Sequence, residues 1–324
     1  MAATPAAPID RETRLAMYRT MVRCRTFETR AQELFFEGLV RGTTHLGVGQ
    51  EAVAAGFAAA MREDDYTFCT YRGHNHTLAR GVPMAPVFGE LFGRANGLMG
   101  GKGGSMHLTS VEHHVMGSYA IVGAHLPIAL GAAWSAQYRR SGQVAVCFFG
   151  DGATNIGAFH EALNLAAVWK APVVYVCENN LWGEYSPIAT TTTTEQLVDR
   201  GASYGIWSCR VDGNDVLAVR EVAREAVALA RAGEGPAFIE AMTYRQKGHS
   251  ARADAGRPPE EVAAWLERDP ITGFESVLVA EGHADEAALA RLRSEVEAEV
   301  DGALERAESW PEPEVDELYE DIFA

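Results

Sequence analysis

The stretch 144–180, VAVCFFGDGATNIGAFHEALNLAAVWKAPVVYVCENN, leaves the chain few ways to fold. Residues 144–149 are an uninterrupted apolar run closed by Gly150, the pattern of a strand buried on both faces. Gly150-Asp151-Gly152 then makes a tight turn in which two residues lack a Cβ, so the backbone can approach a ligand closely. From Asn155 to Lys170 the apolar positions Ile156, Phe159, Leu163, Ala166 and Ala167 recur at helical spacing, and Pro172 closes the segment. Residues 173–177 read as a second buried strand that runs on to the polar pair Asn179-Asn180. In a parallel sheet both turns fall at the carboxyl ends of the strands, where open α/β sheets bind ligands. Asp151 and Asn180, 29 positions apart, then sit side by side.

That placement has a chemical reading. An anionic diphosphate can lie at the N-terminus of the helix beginning near Asn155, satisfying free N–H groups and the helix dipole. A hard divalent cation beside it wants oxygen ligands: Asp151 offers a carboxylate, Asn180 an amide oxygen, and a carbonyl just beyond completes the protein's share. A bare GDG is most often a surface turn. Followed by a helix, a strand and NN at this spacing, it resembles the thiamine diphosphate fingerprint.

Further motifs carry the resemblance along nearly the whole chain, from about Met17 to the terminal DELYEDIF: TYRGH (70–74), GGKGGSMH (100–107), AIVGAHLP (120–127) and TYRQKGHS (243–250). Together they resemble the α subunit of the E1 component of 2-oxo acid dehydrogenase complexes, in the pyruvate and acetoin dehydrogenase branch. The resemblance implies a three-layer α/β/α fold with a mostly parallel sheet. It implies thiamine diphosphate and Mg2+ as cofactors, with Asp151, Asn180 and the carbonyl of Trp182 as metal ligands. Tyr71 and Arg72 become diphosphate contacts, Asp151, Gly152, Ala153, Asn180 and His249 further cofactor contacts, Ala120 and Val122 backbone contacts to the aminopyrimidine ring, and His249 the active-site histidine. It also implies an E1 β subunit in an α2β2 heterotetramer, the lipoyl domain of an E2 acyltransferase as acyl acceptor, and pyruvate, acetoin or a branched 2-oxo acid as substrate. Ser250 corresponds to a serine phosphorylated in some animal members; here it is expected to be unmodified.

The residues themselves allow blander readings beside these. Arg72 at a strand's carboxyl end suits a phosphate through its planar fork, and suits a surface salt bridge equally. His45 either faces a cofactor or packs in the core, and Lys102 lies in a glycine-rich loop that is either part of an active-site mouth or a long connection. Where the family usually has an Asn-Gly pair and a glutamine or small residue, this chain has Tyr119-Ala120 and His125. Tyr119 and His125 are therefore expected to reshape the substrate pocket.

Along the chain, residues 1–9 are expected to be disordered, and Asp10 to cap a long amphipathic helix reaching Leu39. A small-residue helix near Gln50, a turn over 117–123, a helix with Pro127 in its first turn running to Tyr138, a loop through the threonine run, helices over 195–204 and 215–231, and strands over 65–72, 207–211 and 237–244 follow from periodicity and breakers. Residues 259–309 read as helical. The expectation is a disordered tip, then a single α/β domain over 10–324 with a helical C-terminal region.

Composition narrows the function classes. The net charge of −16 disfavours nucleic acid and anionic membranes, although twelve acidic residues against one arginine fall within 295–324 alone. Five scattered cysteines without a C-x-x-C suggest neither zinc nor a disulfide framework. With no signal-peptide pattern and no long apolar run, a cytoplasmic location is expected. Two rivals are disfavoured by the residues: split transketolases carry acids soon after GDG, where this chain has Ala153-Thr154-Asn155. A Rossmann dinucleotide site needs a third glycine where Asn155 stands, and leaves Asn179-Asn180 without a role. A non-catalytic partner-binding subunit is disfavoured because Asp151, Asn180 and His249 are all present.

Overall fold

The computed structural model describes residues 9–252 and 256–320. The disorder expected over residues 1–9 falls, but for Ile9, outside the described range, as do 253–255 of the loop after Ser250 and the end of the DELYEDIF segment. Ile9 packs against the helical core.

In chain order the elements begin with α1 (Arg11–Phe36), α2 (Glu51–Ala58), β1 (Tyr66–Thr70), α3 (His74–Ala79), α4 (Met84–Leu91), β2 (Val115–Tyr119) and α5 (His125–Arg139). There follow β3 (Ala145–Gly150), a 3-10 turn (Asp151–Asn155), α6 (Gly157–Trp169), β4 (Val173–Asn179), a small antiparallel pair β5 (Trp182–Gly183) and β6 (Ser186–Pro187), and the short helices α7 (Ile188–Thr191) and α8 (Asp199–Ala202). The chain ends with β7 (Trp207–Asp212), α9 (Val216–Arg231), β8 (Ala237–Met242), α10 (Pro259–Leu266), α11 (Pro270–Ala280), α12 (Glu286–Glu308) and a 3-10 turn over Val315–Tyr319.

Six strands form one all-parallel sheet in the order β2-β1-β3-β4-β8-β7. The alternation along β3 shows why its run is apolar throughout. Ala145, Cys147 and Phe149 pack with Leu126, Ala129 and Leu130 of α5 and Phe159 and Leu163 of α6. Val146 and Phe148 pack on the other face with Val53 and Phe57 of α2 and Val219 and Ala223 of α9. Helices on both faces of a parallel sheet make three layers. A separate helical core joins α1, α4, α11 and α12 beside them. The side chains of Asp10 and Asp215 cap α1 and α9 by accepting from Thr13 N and from Leu217 N and Ala218 N.

Four local expectations are corrected. The helix after the GDG turn starts at Gly157, because residues 151–155 first wind a 3-10 turn. Residues 117–119 belong to edge strand β2, a strand disguised by Gly117 at φ +134. The helix expected over 195–204 shrinks to Asp199–Ala202, since the N–H of Val198 is taken by the buried carboxylate of Glu240 at 3.0 Å. The threonine run contains one helical turn, Ile188–Thr191.

Candidate active site

The chain leaves β1 toward β2 on one side and leaves β3 toward β4 on the other, so a crevice opens at the carboxyl ends of these neighbouring strands. A cavity of about 430 Å³ occupies it. The ten positions that the resemblance assigns to cofactor and metal line this cavity: Tyr71 and Arg72 after β1, Ala120 and Val122 after β2, Asp151, Gly152 and Ala153 after β3, Asn180 and Trp182 after β4, and His249 after β8. Five adjacent strands thus each contribute at their carboxyl ends.

The β3 and β4 ends set the geometry. Gly150 pairs with Glu178 across the ladder, which brings the next residues, Asp151 and Asn180, to the same rim. A Cβ on Gly150, which lines the cavity, would meet no described protein atom within 4 Å, so this turn is open to the cavity. The two asparagines divide their work. Asn179 Nδ2 donates to Glu240 Oε1 at 2.7 Å, and its own Oδ1 accepts from Leu181 N at 3.1 Å. That turn, with Leu181 at φ +69, directs Asn180 and the carbonyl of Trp182 into the cavity. Trp182 is pinned from behind, its indole N–H donating to Glu261 Oε1 at 2.7 Å.

Arg245, unremarked in the sequence, proves central. It is almost fully buried, with Nε 3.5 Å from Asn180 Oδ1 and Nη2 3.5 Å from the Trp182 carbonyl. Its Nη1 is buried and has no hydrogen-bond partner among the described residues. Burial, together with Arg72 and Arg257, lowers its pKa to about 9. Burial likewise pushes the Asp151 carboxyl up to about 6, against hydrogen bonds from main-chain N–H groups that favour its charged form. Arg72 donates to the carbonyls of Leu46 and His249 and carries its charge across the Tyr71 ring. Two buried guanidiniums to which, among the described residues, no carboxylate is hydrogen-bonded make the cavity attractive to an anion.

The imidazoles stay neutral here. His249 is held near about 4 by burial and by Arg72 and Arg245, and His45 near about 3 by burial and Arg72. Their rings meet edge to face at 4.9 Å, and His45 also leans on Tyr71 at 4.4 Å. The segment carrying His45 is zipped to the one carrying His249: Gln246 N donates to Val48 O and Ala251 N to Thr44 O, each at 2.9 Å. A Cβ on Gly49 would lie 2.5 Å from the Tyr244 carbonyl, so these two segments touch backbone to backbone.

Tyr119 and His125 do not line the cavity. They stack on each other with ring centroids 5.6 Å apart, and the buried His125 shares a 2.8 Å hydrogen bond with Phe148 O. The departure from the usual family pattern is therefore a packing exchange under the turn. Sequence reasoning also passed over Gln50, Met106 and Glu178, which complete the walls. Glu178 pairs with His76 at 3.1 Å, and that histidine stacks on Phe148. Among the described residues no group of three or more His, Cys, Asp or Glu could hold a metal, so a cation here must use neutral oxygens beside Asp151.

A buried pair of guanidiniums beside Asp151 and converging neutral oxygens, at the switch point of a parallel sheet, is the kind of site that suits a phosphorylated cofactor. The chain matches the dehydrogenase E1 component over residues 19–316, and it belongs to that family on the α-subunit side. It is 42% identical to the pyruvate dehydrogenase E1 component subunit alpha of Rhizobium meliloti, covering 98% of this chain and 92% of that protein. It is 41% identical to the alpha subunit of acetoin:2,6-dichlorophenolindophenol oxidoreductase of Bacillus subtilis, covering 97% and 95%. With the pyruvate dehydrogenase E1 alpha subunit of Zymomonas mobilis the identity is 43%, over 97% and 89%. The cofactor that this family implies is thiamine diphosphate. Among the described residues, no helix is long and apolar enough to cross a membrane.

Proposed function

We propose that this chain is the α subunit of an E1 enzyme that oxidatively decarboxylates pyruvate and passes the acyl group to a lipoyl domain of an E2 acyltransferase. The observation that carries this reading is the convergence of Asn180 Oδ1 and the Trp182 carbonyl on the Arg245 guanidinium, beside buried Asp151. Those oxygens already face a positive charge. With Asp151 they suit Mg2+, which takes oxygen ligands and leaves room for phosphate and water. Arg245 Nη1, without a hydrogen-bond partner among the described residues, and Arg72 then serve the diphosphate. Gly152 and Ala153 lie beside it, and the main chain of Ala120 and Val122 serves the aminopyrimidine ring.

Thiamine diphosphate, when bound, supplies the nucleophilic carbon and the electron sink that decarboxylation requires. This chain's own part is to bind, orient and handle protons. His249 enters neutral, so a ring nitrogen is open to take up a proton and return it during acyl transfer. Arg72 and Arg245 hold the His249 imidazole low, and with their charge engaged by a diphosphate they would depress its basicity less. The half of the site that activates the cofactor belongs to a β subunit, in an α2β2 enzyme located in the cytoplasm.

Acetoin is the second candidate substrate, favoured by the near-equal identity to the Bacillus subtilis oxidoreductase. Dye-linked oxidation by the chain co-purified with its β partner, with thiamine diphosphate and Mg2+, separates them. Pyruvate should give the highest kcat/KM of a panel with acetoin and branched 2-oxo acids. A preference for acetoin would make it a cleavage enzyme instead, and full activity of this chain alone would refute the shared site.

A further inference from the structure

Glu90, near the end of α4, is completely buried. The hydrogen bonds to its carboxylate come from the main chain of the glycine-rich stretch. Oε2 accepts from Met99 N at 2.7 Å and Gly101 N at 2.9 Å, and Oε1 accepts from Gly103 N at 2.7 Å and Gly104 N at 2.9 Å. Gly100, Gly101 and Gly104 take positive φ, which is how N–H groups so close in sequence turn toward one point. The chain passes so near that a Cβ on Gly97 would lie 2.6 Å from Glu90 Oε2. A carboxylate, with two accepting oxygens and no donor, suits four N–H groups; an amide would turn its own N–H2 against two of them.

What this loop delivers lies just beyond it. Ser105 Oγ shares a 2.9 Å hydrogen bond with His74, whose other ring nitrogen meets Glu28 at 3.0 Å. The Met106 carbonyl accepts from Ser118 Oγ at 2.9 Å, and Met106 itself lines the cavity alongside Ala120 and Val122. We infer that Glu90 is a positioning residue: an internal anion around which residues 99–104 fold, and which sets Met106 as the wall of the cavity at the end that takes the organic part of the cofactor. This rests on the reading of the cavity as a thiamine diphosphate site.

The experiment compares wild type with Glu90→Ala and Glu90→Gln, each as the full chain with its β partner. Calorimetry measures the affinity for inorganic pyrophosphate with Mg2+, which probes the Asp151 end alone, and for thiamine diphosphate, which probes both ends. Glu90→Ala should bind pyrophosphate as wild type does but thiamine diphosphate about tenfold more weakly, the low end of what one charge-assisted hydrogen bond contributes. Added formate, able to occupy the vacated anion position, should restore most of that loss, and neutral formamide should not. Glu90→Gln, which keeps the volume should the alanine variant not fold, should let trypsin cut after Lys102 faster than in wild type. Unchanged thiamine diphosphate affinity, absence of formate rescue, or an equal loss of pyrophosphate binding would each overturn the positioning role. A wild type that binds neither ligand would overturn the site reading itself, and this proposal with it.

Discussion

Arg245 separates what neighbouring residues in sequence can announce from what only packing reveals. Asp151 and Asn180 were readable from spacing, because each directly follows one of two strands that are paired in the sheet. An arginine in TYRQKGHS has no such local signature. Its burial depends on Asp151, Asn180 and Trp182 arriving from other strands, and on Arg257 donating to its carbonyl. Tyr119 and His125 show the reverse failure: they look like pocket residues from their place in the motif, yet they stack on each other away from the cavity. Replacing Arg245 by methionine, which keeps length without charge, should weaken thiamine diphosphate binding by roughly ten- to a hundredfold, the range for charge-assisted hydrogen bonds. A cofactor titration followed through tryptophan fluorescence reads this directly, since Trp182 borders the same oxygens. Unaltered affinity would remove Arg245 from the binding machinery.

At the scale of elements, the sheet was legible wherever strands were long and apolar, and hidden where one strand carried a glycine. β2 is an edge strand of VMGSY, and Gly117 made it look like the start of a turn. The helical packing was legible only in outline. Small residues in α2 predicted close approach, and Gly56 supplies the particular contact: a Cβ there would lie 2.6 Å from Val219 Cγ1 and 3.0 Å from the main chain of α9. Gly56→Ala should therefore destabilise, overpacking costing about 1–3 kcal/mol against a helix-propensity gain of about 1 kcal/mol. Gly302→Ala in α12, where the added carbon meets nothing within 4 Å, should stabilise by about 0.5–1 kcal/mol. Thermal unfolding of the two variants should shift in opposite directions; a shift of the same sign in both would contradict the crossing of α2 and α9.

For the whole molecule, acid is the informative perturbation. His45, His125 and His249 sit near about 3, 4 and 4, all depressed first by burial. Unfolded, each would take a proton near pH 6.5. Between pH 6.5 and about 4 the unfolded chain thus binds more protons at these three sites, so they weaken the fold as pH falls. Asp151, raised to about 6, works the other way, because the native chain holds its proton where the unfolded chain has lost it. Three sites against one give a net loss. The urea midpoint should fall between pH 7 and pH 5 with the slope m unchanged, whereas a flat or rising midpoint would show that these imidazoles are charged in the native state.

The zippered contact between residues 44–50 and 243–251 has a bearing on how such a chain can be recombined. The two segments lie some 200 positions apart in the gene product, yet Gly49 and Tyr244 leave no room for a side chain between them. A chimera that takes its first third from one relative and its last third from another would join halves of a wall that were never fitted together. Donor exchange should therefore treat these segments as one heritable unit, drawn from a single parent wherever the crossover falls.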